Sequence, residues 1–293
     1  MLKLYRSTLL MYWTVSIVFL VLLVSQTVLA RDIVTVTVDG VTTVLVKGFP
    51  RIFHLGEEWN TVVWFVILFA GVFLVSFIAN SVAGRKYARI RDILFEGCDP
   101  DRYLAALGPL LRRRSLPSVV LVMLQNDAGV GRFARGDHEI ARDTLANLRP
   151  SGMKRQRRLV AAAIAYNRAA FSLHFGDLED ARRQRDEMER VVSEATPSER
   201  RRQRLASRLD DLDYAIRLEE GDAVGVREHF EASLRDAKSE YERMMAHHRL
   251  SQIYRATGEE RLEREHLDAI VAHGNGLWIV PVARQRLAQL SEG

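Results

Sequence analysis

Four times between residues 130 and 260 a glycine followed by an acid stands between two helix-like stretches: Gly136-Asp137, Gly176-Asp177, Gly221-Asp222 and Gly258-Glu259. Glycine ends a helix cheaply because it alone enters the left-handed region without a steric penalty, and an acid placed next favours the positive start of the following helix. The device therefore predicts a helix, a tight turn and a second helix, repeated. The glycines are spaced 40, 45 and 37 residues apart, the range of helical-pair solenoids, in which each pair buries its apolar face only by stacking on the next.

The pairs are expected at 118–135 with 137–148, 154–175 with 177–194, 199–220 with 222–238, and 239–257 with 259–272. A last helix over 277–290 would cover the open end of the stack, which otherwise leaves an apolar face in water. Upstream, Asp99-Pro100 reads as a helix start, the acid capping free amides and the proline losing no hydrogen bond in the first turn. Tyr103, Leu104, Leu107, Leu110 and Leu111 then share one apolar face.

The stretch from Pro117 to Ala272 resembles the tetratricopeptide repeat family. Five residues after each turn glycine that family places a small residue, and here stand Ala141, Ala181, Val226 and Glu263. Nine residues after it comes a bulky apolar group, matched by Leu145, Phe230 and Leu267 and replaced by Arg185. Tyr166-Asn167-Arg168-Ala169 is similar to the family's aromatic, polar, apolar, small run, with Arg168 in the apolar place, and His247, Leu250, Ser251 and Tyr254 follow the pattern in the last pair. Glu263, Arg185 and Arg168 are departures. The resemblance implies a concave groove lined by the first helix of each pair, which holds a segment of another protein. Counting back from the glycines places Asn126, Val130, Tyr166, Ala170, Asp211, Ala215, His248 and Gln252 on it.

The amino-terminal part has a different character. Residues 8–30 carry no charge, and 23 residues of helix rise roughly 34 Å, enough for a hydrocarbon core of roughly 30 Å. Lys3 and Arg6 precede this run, and Val28-Leu29-Ala30 offers a signal-peptidase site, so an uncleaved anchor and a cleaved signal peptide are both open. A second uncharged run, 62–83, follows Trp59, contains Trp64 and ends at Arg85, Lys86, Arg89 and Arg91. By the positive-inside rule these residues, with Lys3 and Arg6, hold both ends in the cytoplasm and face anionic lipid. Between the runs, the β-branched stretches Ile33–Val38 and Val41–Val46 flank Asp39-Gly40, a hairpin signal. Ala79 and Ala83 make a small-xxx-small step that would let two copies associate.

No constellation for catalysis emerges. Of the eight histidines the densest pair is His247-His248, but adjacent helix residues diverge by about 100° and cannot converge on one ion. Gly129-Val130-Gly131 lacks the fingerprint of a dinucleotide site, and the single Cys98 cannot form an internal disulfide. From 85 to 158 there are 16 Lys and Arg against 8 Asp and Glu, and from 159 to 293 there are 21 against 25. The basic runs at 154–158 and 200–204 lack interleaved aromatics, so nucleic acid is not the expected partner.

The sequence thus predicts an all-α protein: two transmembrane helices joined by a short extracytoplasmic β-hairpin, then a cytoplasmic tetratricopeptide-like α-solenoid. Its parts are 1–30 and 62–84 as spans, 31–61 as the outer loop, 85–116 as membrane-proximal helices and 117–293 as the repeat domain with its cap. The expected function is a membrane-anchored scaffold that binds another protein, with no cofactor, metal or catalytic residue. The alternative is a signal transducer with the hairpin as its sensor.

Overall fold

The computed structural model describes residues 32–38, 41–47, 57–113, 116–194, 199–222 and 224–292. It divides into two compact units, Met1–Ala88 and Arg89–Gly293.

In the first unit β1 (Asp32–Val38) pairs antiparallel with β2 (Val41–Lys47). The register runs from Asp32 opposite Lys47 to Val38 opposite Val41. Helix α1 (Glu57–Phe95) has 39 residues and begins in this unit. The span expected at 62–84 is not a separate element, since the helix continues through Gly84 and the basic residues Arg85, Lys86, Arg89 and Arg91. Among the described residues no helix is long and apolar enough to cross a membrane. The expected two-span topology, its membrane localisation and the extracytoplasmic placement of the strands are corrected accordingly. The uncharged run 62–83 remains a fact of the sequence, and along it Val66, Phe69, Phe73, Leu74, Phe77 and Ile78 are exposed. The other expected span, 8–30, and Lys3 and Arg6 lie outside the described residues.

Among the described residues, every regular element of the second unit is a helix. After the end of α1, α2 (Pro100–Leu111) starts where Asp99 accepts a hydrogen bond from the Arg102 amide at 3.0 Å. Four antiparallel pairs follow: α3 (Ser118–Arg135) with α4 (His138–Ala146), α5 (Lys154–His174) with α6 (Leu178–Glu194), α7 (Glu199–Glu219) with α8 (Val226–Asp236), and α9 (Glu240–Thr257) with α10 (Glu260–His273). Helix α11 (Ile279–Glu292) closes the end against α10. Gly136, Gly176, Gly221 and Gly258 stand at the turns within the pairs, all at positive φ.

Small residues set how closely the helices approach. Ala141, Ala169 and Ala181 are fully buried, Ala141 in one core and Ala169 with Ala181 in the other. The Gly129-Val130-Gly131 run is a packing device: a Cβ at Gly129 would fall 2.1 Å from the Leu145 side chain, and one at Gly131 would fall 2.8 Å from the Tyr103 ring. Two cores result, one around Phe133, Leu145, Ile164 and Phe171, the other around Met188, Phe230, Leu250 and Tyr254.

The three departures from the repeat pattern are where polar groups join the helices. Arg168 donates to the Leu145 and Leu148 carbonyls at 2.7 and 3.1 Å, satisfying free acceptors at the end of α4. Arg185 reaches from α6 to both oxygens of Asp213 on α7, at 2.6 and 2.9 Å. Glu263, whose side chain is 2% exposed, accepts two hydrogen bonds from Arg286 of α11, at 2.7 and 3.0 Å. A small residue at 263 would suit another repeat, whereas a glutamate there grips the cap.

Candidate functional site

The first helices α5, α7 and α9 meet around Tyr166. The Arg208 guanidinium of α7 lies 5.1 Å from the centre of its ring, a cation–π distance. The phenol is held above its ordinary range, first by burial and then by Asp211 of α7, with Glu242 of α9 adding to the effect and Arg208 and Arg249 opposing it. Helix α9 also brings Arg249, which pairs with Glu219 of α7 at 3.0 Å and donates to Gln252 at 3.1 Å. On α3, Asn126 accepts from Asn167 of α5 at 3.0 Å, and next to it one carboxylate oxygen of Asp127 is buried without a partner. Burial pushes the Asp127 carboxyl up to about 7, against the opposing influence of Arg208.

The residues expected on the groove divide into distinct roles. Tyr166, Asp211 and Gln252 take part in this network, and Asp211 is further fixed by His229 at 3.0 Å. Asn126 is 8% exposed and spends its carbonyl oxygen on the contact between α3 and α5. Ala215 is a core residue at 6% exposure, Ala170 packs against both cores, and Val130 is half-buried.

His248 faces a second cluster, which the sequence reading did not foresee. Trp278, just ahead of α11, lies with its ring centre 5.2 Å from His248 of α9, 4.8 Å from His174 at the end of α5 and 5.0 Å from His138 at the start of α4. Phe133 of α3 adds an edge contact at 6.1 Å. The backbone joins in: Trp278 N–H donates to the Ala134 carbonyl at 2.9 Å. One indole therefore touches pairs one, two and four. Phe133, His138 and His174 all lie within three residues of the turn glycines Gly136 and Gly176, and a Cβ at Gly136 would fall 3.3 Å from that of Trp278, so the indole sits at the turn ends of pairs one and two. Its indole nitrogen and Nε2 of His138 are buried without partners.

Burial holds these imidazoles neutral. His174 is lowered to about 4 and His248 to about 3, each first by burial and then by neighbouring positive groups, Arg249 among them. One residue along α9, Nδ1 of His247 lies 2.7 Å from Nδ1 of His266, and His247 is lowered to about 4 by burial first. Among the described residues no group of three or more His, Cys, Asp or Glu could hold a metal ion. Sequence spacing could not pair Trp278 with His138, 140 residues away. The available signal was a tryptophan following Gly274-Asn275-Gly276, an irregular loop ahead of a cap.

No family model, curated protein or solved structure matches the chain.

Proposed function

We propose that the chain is a tetratricopeptide-like interaction module whose activity is binding a segment of another protein on the inner face of its helical pairs. The observation that carries this reading is the convergence of three first helices on Tyr166, with an aromatic ring, two arginines and several carboxylates set together on one face. A lining of mixed charge does not select a terminal carboxylate, which calls for converging cations. It suits an internal peptide segment or an amphipathic helix held largely by apolar contact, with polar groups fixing its register. Tyr166 is the anchor, since a ring with a polar tip contributes both area and a hydrogen bond.

The test is selection of binding peptides from a displayed random library on the full chain, followed by titration of the best peptide. Tyr166→Ala should weaken that peptide by about 2 kcal/mol, a factor of roughly thirty, with helical circular dichroism unchanged. Binding that survived Tyr166→Ala combined with Asp211→Ala, and failed on changing exposed positions of α6 or α10, would put the site on the convex face and end this reading.

A further inference from the structure

The segment Gly274–Trp278 does more than lead into the cap. Besides the Trp278 bond to Ala134, Gly276 N–H donates to the Cys98 carbonyl at 3.1 Å, and the Asn275 side-chain amide donates to the Gly97 carbonyl at 2.9 Å. The last loop of the unit is thereby tied to its first turn. Cys98 and Asn275 are also the non-glycine residues with positive φ among the described residues, at 48° and 46°. Both lie in this junction, on its two sides. Left-handed backbone is unfavourable for a residue with a Cβ and persists where surrounding contacts impose it, and such residues gather at elements that switch.

We propose that residues 274–278 are a latch across the turn ends of the first two pairs and α9, and that protonation of the His138, His174 and His248 cluster around Trp278 opens it. This deepens the binding reading above and rests on it only for the purpose of opening. The geometry makes the device sensitive to protons. His138 and His174 have ring centres 3.9 Å apart, so charging both sets like charges in contact across α4 and α5. From α9, Arg249 already opposes a charge on His174 and on His248. Burial is the largest influence on His138 and lowers it; Asp137 just ahead of α4, Glu139 and a hydrogen bond to the Phe133 carbonyl favour its charge, but Asp137 is paired with Arg135 of α3 and Glu139 with Arg142. Arg142 itself lies over the Phe175 ring, 4.4 Å from its centre, beside His174. Glu219 of α7 is taken by Arg249. The cluster thus holds three imidazoles closed while neutral. In an open state each is solvated and regains an ordinary histidine affinity for protons, so acid favours opening.

Cys98 provides a direct readout, because it is the chain's single cysteine, is fully buried, and gives its carbonyl to the latch. The full chain is labelled with dithiodipyridine at pH 7.5 and pH 5, each rate normalised to that of the urea-unfolded chain at the same pH. Labelling should accelerate about tenfold or more at pH 5, with helical circular dichroism unchanged. Trp278→Ala should label quickly at both pH values. The double variant His174→Phe with His248→Phe keeps aromatic contacts and removes two titrating groups, so it should stay slow at pH 5. Hydrogen exchange at the Gly276 and Trp278 amides of the unaltered chain gives a second measurement, with loss of protection expected at pH 5. The proposal is overturned if Cys98 labels equally slowly at both pH values, if acceleration persists in the double variant, or if it comes only with loss of helix. None of these readouts uses a partner, so failure here leaves the peptide-binding test standing, and failure there leaves this one standing.

Discussion

Glu263 tests whether a departure from the repeat pattern is what holds the cap. Glu263→Gln keeps the shape of the side chain and removes its charge, leaving Arg286 to donate to a neutral amide. Breaking one side of a buried ion pair costs about 3 to 5 kcal/mol. Here Glu263 is 2% exposed but the Arg286 side chain is 24% exposed and can turn to water, so about 2 to 3 kcal/mol is the reasoned loss. The effect should be local, because the pair joins α10 to α11 only. Native-state hydrogen exchange reads local opening directly, and 2 to 3 kcal/mol is roughly a 30- to 160-fold loss of protection. That loss should appear in 279–292 and at the start of α10, with α5 and α6 unchanged. In the double-mutant cycle with Arg286→Met, the two changes together should cost clearly less than their sum. Additive effects, or a loss spread evenly over all helices, would refute the role of the pair as the cap's clamp.

Gly176 has φ of 71° and open space around a would-be Cβ, so the cost of a side chain there is backbone strain alone. Gly176→Val should destabilise by about 1 kcal/mol or more and Gly176→Asn by clearly less, read as the shift in thermal melting. Stability should also fall with acid. His174, His247 and His248 have folded-state affinities near 4, 4 and 3, against about 6.5 unfolded. Below pH 6.5 the unfolded chain binds more protons, so stability is lost as pH falls toward 4, at up to about 1.4 kcal/mol per unit for each group. Asp127, raised to about 7, acts in the opposite sense: the folded state binds its proton more tightly, and that contribution is lost as pH rises through 7. Urea midpoints across pH 4 to 8 check the balance, and Asp127→Asn should steepen the decline on the acid side.

Helical pairs were legible because their signals are local. A turn glycine, an acid at the next helix start and apolar residues at helical spacing act over a few residues, and the helix bounds fall within about a turn of those read from the sequence. Glu263, Arg185 and Arg168 read as imperfections because their partners, Arg286, Asp213 and the carbonyls ending α4, belong to other helices. Spacing along one chain segment carries no information about a partner on another. The span expected at 62–84 failed for a different reason, and the run 8–30 lies outside the described residues. Absence of charge over 62–83 says nothing about where the helix ends, and α1 runs on to Phe95. Of the residues counted onto the groove, Ala215 is a core residue, and a count from the turn glycine carries an uncertainty of one position on a helix that advances about 100° per residue.

Trp278 changes what kind of object the repeats make. In an open solenoid each repeat touches its neighbours alone, and stability is a sum of repeat and interface contributions that can be lost from one end. Here the segment preceding the cap bonds to Gly97, Cys98 and Ala134 and packs on His138, His174 and His248. The last loop of the second unit thus supports its first turn, and fraying from either end of the helical pairs must first break contacts with the other. Closure of this kind raises cooperativity, because one indole is shared by three pairs.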